Sequence, residues 1–178
     1  MRNFDLIAQE LDVMPLRHAV ARQSGLWNAN SLRTTYPGTV HGEAEDIWLR
    51  FDALENLNAV FDEHESVEYP AFAALPHARP IIFDLMRRVE GVRLGRVLIT
   101  RLRPGGRIYP HADEGDHAAY YDRYHISLQG LPGCVFRAGG EQVSMASGEV
   151  WWFDNAQTHE VVNNSAGDRI HMVVDIRT

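Results

Sequence analysis

His111 and Asp113 stand two residues apart, and His159 follows far enough downstream to come from a different strand. Two imidazoles and one carboxylate are the protein ligands of the facial triad, which holds iron(II) while leaving coordination positions open. Arg169 lies ten residues beyond His159, inside the alternating run DRIHMVVDI. An arginine placed there can clamp a carboxylate through two parallel charge-assisted hydrogen bonds. Together these residues suggest an oxygenase that takes iron and a 2-oxo acid. Zinc accepts the same three ligands, but a zinc hydrolase gives no particular reason for the arginine. Glu114, Asp116 and His117 follow in HADEGDH and read as a polar lip of the site, not as ligands.

The elements that must position these side chains are short strands. After Gly91 come VRLGRVLITRLR, GRIYPHA, DRYHISLQG, GCVFRA, EQVSM, EVWWFD, THEVVNN and DRIHMVVDI, parted by turn signals such as Pro104-Gly105-Gly106 and Ser165-Ala166-Gly167. Many β-branched and aromatic segments at this spacing predict an antiparallel sandwich or barrel. Period-two alternation puts Arg123, His125, Ser127 and Gln129 on one face, and Tyr124, Ile126 and Leu128 on the other. Arg169, His171, Val173 and Asp175 likewise share a face. A barrel lined by a polar site, with its apolar outer face covered by helices from the N-terminal half, accounts for both patterns. Trp151 and Trp152 read as core and rim packing.

The first half is mixed. Residues 3–11 carry a broken apolar stripe that predicts a helix. Residues 26–36 and 46–51 read as strands, and the acidic stretch from Asn56 to Pro70 as a solvated loop, with a lid over a binding site as the alternative. Pro80 suits the first turn of a helix that Gly91 ends. TTYPGT, DIWLRF, Arg33 and Arg50 could form part of a substrate wall.

A chain of 178 residues fits one domain. We expect 1–91 to be helix-and-strand support with the substrate wall, and 92–178 to be the core that carries the site. The formal net charge of −7 with neutral histidines disfavours a phosphate backbone as partner. No apolar run approaches the roughly 20 residues that span a bilayer. One cysteine, Cys134, excludes an internal disulfide framework. A reducing, cytoplasmic location is the natural expectation.

The stretch from Leu98 to Asp175 resembles the iron(II)- and 2-oxoglutarate-dependent oxygenases of the aspartyl/asparaginyl β-hydroxylase group, with bacterial proline 3-hydroxylases as relatives. The matching pieces are Pro104-Gly105 with Pro110-His111, Arg123-x-His125, Phe153-Asp154 leading to His159-Glu160-Val161, and Arg169 leading to Val174-Asp175. The resemblance implies a mainly β, jelly-roll or cupin-like double-stranded β-helix, with N-terminal helices packed on the major sheet. It implies that His111 and His159 ligate iron and that Arg169 binds the distal carboxylate of 2-oxoglutarate. Arg123 and His125 match further cosubstrate contacts, and Thr100 falls where the family has a hydroxyl residue. Asp113 is a departure from the two-histidine members and restores the ordinary triad, which loosens any transfer of a peptide-aspartate substrate. Iron(II), 2-oxoglutarate and dioxygen are the implied cofactors, and the implied reaction hydroxylates an amino acid or an amino-acid residue in a peptide or protein. The rival is a non-catalytic cupin-like module that holds a metal or a small acid. A nucleic-acid demethylase of the same superfamily would need a basic face.

Overall fold

The apolar alternating segments after Gly91 all become strands in the computed structural model, which describes residues 1–178. They are β4 (Arg93–Leu102), β5 (Arg107–His111), β6 (Asp122–Gln129), β7 (Cys134–Ala138), β8 (Glu141–Val143), β9 (Val150–Phe153), β10 (His159–Asn163) and β11 (Arg169–Arg177). The first half adds β1 (Phe4–Ala8), β2 (Ala44–Phe51) and β3 (Val67–Glu68). A seven-stranded sheet runs β1-β9-β6-β11-β4-β2-β3, and a four-stranded sheet runs β5-β10-β7-β8. Every pairing is antiparallel. The fold is therefore mainly β, with two antiparallel sheets and few helices, as the sequence predicts.

The two faces of the large sheet carry different jobs. Tyr124, Ile126, Leu128, Met172 and Val174 point outward into the main core. There they meet Leu16, Ala19 and Val20 of α1 (Met14–Ala21), Phe72 of α3 (Pro70–Ala74), and Ile82 and Leu85 of α4 (Ala78–Arg88). Truncating a fully buried member such as Ile82 to alanine costs about 2–5 kcal/mol. A second cluster, including Phe4, Leu102, Ile108, Phe136, Phe153 and Val161, sits between the sheets. It fixes their separation beside the polar inner face. Trp151 joins that cluster, and Trp152 packs half-buried on the outer one.

Two expectations in the first half fail. Residues 3–11 are not a helix, because Phe4–Ala8 pairs with β9, Phe4 opposite Phe153. Phe4 and Ile7 fall in different core clusters on opposite faces. Their three-residue spacing mimics a helical stripe but has strand parity. The first helix is instead α1, with a proline in its first turn. Residues 26–36 are not a strand either. They hold the end of a 3-10 turn and the short α2 (Leu32–Thr35). The Thr34 and Thr35 hydroxyls both donate to the Ser31 carbonyl, so β-branched residues are held in a turn by local back-bonding.

The segment after Pro80 does form α4, but Glu90 takes the left-handed conformation there at φ 56°. Gly91 has a packing reason: a Cβ on it would sit 2.4 Å from Ile176 Cγ2. The acidic stretch forms a 3-10 turn, Leu54–Ala59, then a loop that leads into β3. No helix is long and apolar enough to cross a membrane.

Candidate metal centre

Strands β5 and β10 are neighbours in the small sheet, with His159 directly opposite His111. Their ring centroids lie 4.2 Å apart. His111 Nδ1 donates to the Tyr109 carbonyl at 2.8 Å, and His159 Nδ1 to the Gln157 carbonyl at 2.9 Å. A carbonyl only accepts, so each Nδ1 carries the proton and each Nε2 presents a lone pair. Asp113 follows β5, its amide donating to the Asn155 carbonyl at 3.0 Å. Its Oδ1 lies 3.6 Å from His111 Nε2 and 3.9 Å from His159 Nε2. One ligand atom from each of the three residues lies within 4.8 Å of the others.

This donor set fits a divalent first-row metal. Both imidazoles are oriented by a backbone carbonyl at the far nitrogen, the arrangement that fixes ligating histidines. Burial is the main influence on His159 and lowers its pKa to about 4, against the opposing pull of Asp113. Its lone pair is thus free of a proton near neutrality, as metal binding requires.

The triad opens into a cavity of ≈ 320 Å³ between the sheets. On the large-sheet side, β4, β6 and β11 contribute Thr100, Arg123, His125, Arg169 and Asp175 to its wall. Arg169 is 2% exposed and forms no salt bridge; Nη2 donates to His171 Nδ1 at 3.0 Å. Burial lowers its pKa to about 10, so it stays charged near neutrality. His125 Nδ1 lies 3.3 Å from the same His171 nitrogen. Burial, and then the Arg169 charge, hold both imidazoles well below their ordinary pKa, which keeps them neutral. The ring of His125 also packs edge-on against Phe136 and Phe153. Thr100 Oγ1 is buried on the same wall and has no hydrogen-bond partner.

Arg123 is placed differently from Arg169. Nη1 makes a short contact to Asp113 Oδ2, while Nε and Nη2 bind Asp175 at 2.8 and 3.0 Å. The guanidinium that the resemblance assigns to the cosubstrate thus has two carboxylate partners within the protein. Burial would lower its pKa, but Asp113 and Asp175 together raise it above the ordinary arginine value.

The first half supplies further lining, Tyr36, His41, Val60 and Phe61, and of these Tyr36 and Phe61 are exposed at the cavity mouth. The His41 ring stands edge-on to His111 at 5.1 Å. Arg33 also lines the cavity but is closed by a bidentate pair with Asp46, at 2.7 and 2.8 Å. Arg50 lies elsewhere, against the carbonyls of Gly95 and Ser66. His117 is no part of the triad: its nitrogens face the Glu63 carbonyl and Asp175. Sequence reasoning missed His41, which sits in an irregular segment with no periodicity to aim it, and reached Phe61 only through the lid alternative for Asn56 to Pro70. It also gave His171 no role, although shared parity with Arg169 was a usable signal.

The family model described as aspartyl/asparaginyl beta-hydroxylase matches residues 2–178. The chain belongs to this family. Among solved structures, it is similar to an oxidoreductase of the 2OG-Fe(II) oxygenase family from Burkholderia pseudomallei. The two are 18% identical, with a TM-score of 0.52, covering 75% of this chain and 66% of that one. It is also similar to a cupin domain from Bordetella pertussis Tohama I, at 17% identity and a TM-score of 0.39, covering 48% of this chain and 84% of that one. At 18% identity the likeness to the Burkholderia protein speaks for the β architecture that this aspartyl/asparaginyl beta-hydroxylase family member shares with it, and for no more.

Proposed function

We propose that the protein is an iron(II)- and 2-oxoglutarate-dependent dioxygenase that hydroxylates an amino acid, free or within a peptide or protein. The observation that carries this reading is the pairing, in one cavity, of the His111–Asp113–His159 cluster with a buried arginine that has no anionic partner. A buried cation without a counter-ion is costly. A carboxylate ligand at Arg169 removes that cost, and family membership is consistent with it.

Iron(II) held by the triad would supply, with 2-oxoglutarate and dioxygen, the oxidation that releases succinate and carbon dioxide and hydroxylates the substrate. The chain's own residues do the rest. Arg169 binds the distal carboxylate of the cosubstrate, with the neutral ring of His171 holding the guanidinium in place. The Thr100 hydroxyl donates to the same carboxylate, while His125 braces this corner through His171. Phe136 and Phe153 exclude water beside the ligand histidine, packing 6.0 and 4.9 Å from the His159 ring. The substrate enters between Tyr36 and Phe61.

Iron-dependent formation of succinate from 2-oxoglutarate, stimulated by a substrate from an amino-acid and peptide screen, tests this reading. A chain that binds metal or 2-oxoglutarate but forms no succinate would instead be a cupin-like binding module.

A further inference from the structure

We propose that Arg123, Asp175 and His117 are positioning residues that select which oxygen of the Asp113 carboxylate faces the two histidines. This rests on the metal reading of the triad. The two Asp113 oxygens are used differently: Oδ1 lies 3.6 Å from His111 Nε2, whereas Oδ2 accepts from Arg123 Nη1. A carboxylate can rotate about its last bond and present either oxygen. Arg123 removes that freedom by binding one of them.

Arg123 can do this because it is itself fixed. Its opposite edge grips Asp175 through two hydrogen bonds, at 2.8 and 3.0 Å. Asp175 is 2% exposed, and its Oδ2 also faces His117 Nε2 at 3.0 Å. His117 is equally buried, with Nδ1 on the Glu63 carbonyl at 2.7 Å. Both partners of that ring are acceptors, and His117 stands between Asp175 and the Glu63 carbonyl. Asp113 and Asp175 share the one Arg123 guanidinium, so removing either carboxylate leaves a buried charge with one partner fewer. His117 is tied to the segment that carries Phe61 at the cavity mouth.

This role differs from a direct cosubstrate contact, and the two give different results. Asp175→Asn keeps the shape of the side chain and loosens Arg123 without touching the triad. Cobalt(II) serves as the probe, since its visible bands report coordination geometry without turnover. Loss of an outer partner of a metal ligand typically weakens binding about 10- to 100-fold, so cobalt affinity is expected to fall at least tenfold, with altered bands. In an Asp113→Gly background the same substitution should have no further effect, because the influence passes through Asp113.

Wild-type cobalt affinity and bands in Asp175→Asn would overturn the proposal, whether or not 2-oxoglutarate binds more weakly. If Asp175→Asn lowers the melting temperature too far to assay, His117→Gln carries the test, with a several-fold weakening expected and an unchanged affinity contradicting it. Failure of the dioxygenase reading shows separately, in an unmodified chain that binds cobalt yet turns over no 2-oxoglutarate.

Discussion

Arg169 donates to the neutral ring of His171 at 3.0 Å, and this is its one side-chain hydrogen bond. A guanidinium has five N–H donors, so most of its capacity is left for something else. Arg169→Met should weaken 2-oxoglutarate binding about 10- to 150-fold, the 1.5–3 kcal/mol of hydrogen bonds to a charged group. Because the cation has no counter-ion in the fold, the melting temperature should stay level or rise. Calorimetry of ligand binding and of unfolding checks both halves. A large loss of stability with intact cosubstrate affinity would make Arg169 structural.

Thr100 offers a finer test on the same wall. Its Oγ1 is buried and unpartnered, so Thr100→Val should leave stability unchanged or raise it by about 1 kcal/mol. Cosubstrate affinity should fall about fivefold, the worth of one ordinary hydrogen bond. Titration of both proteins with 2-oxoglutarate gives the comparison, and equal affinities would remove Thr100 from the site.

The buried charge chain predicts an acid-sensitive contribution to stability. Burial alone would raise the Asp175 pKa, but Arg123 and His117 hold it well below the usual carboxylate range. A carboxyl depressed in the folded state stabilises above its unfolded value of about 3.9, and the contribution is lost as pH falls toward the folded value. Asp175→Asn should therefore be less stable by about 3 kcal/mol at pH 7, with the gap closing from about pH 4 downward. Urea unfolding of the chelator-treated proteins at several pH values measures that gap. A gap independent of pH would contradict the assignment.

The mouth of the cavity can be perturbed without touching the centre. Gly115 has φ 91°, and a Cβ there would stand 2.5 Å from the Phe61 carbonyl oxygen and 2.8 Å from its Cβ. Gly115→Ala should push Phe61, on one side of the entrance, away from the segment that follows Asp113. Kinetics should show a raised KM for the organic substrate, with the 2-oxoglutarate requirement little changed. The reverse pattern would place the entrance elsewhere.

How much of this was legible in the sequence depended on periodicity. Strands β4, β6 and β11 alternate because one face meets helices and the other a polar cavity, so Arg123 and His125, or Arg169 and Asp175, could be aimed by counting. His111, Asp113 and His159 were legible as a donor set, and the register that puts His159 opposite His111 brings them together. The edge strand Phe4–Ala8 was not, since its apolar residues split between two cores. Nor was His41, whose position depends on loop docking. The partners of Arg123 depend on side-chain competition that spacing does not encode: Asp113 and Asp175 come from distant segments and both reach it.

The most direct test of the central claim is anaerobic titration of the metal-free chain with iron(II) and then 2-oxoglutarate, followed by visible absorption. A weak charge-transfer band that needs both ligands, and is lost in Arg169→Met and in His159→Ala, is the expected result. No band, with tight zinc binding in its place, would contradict the dioxygenase reading.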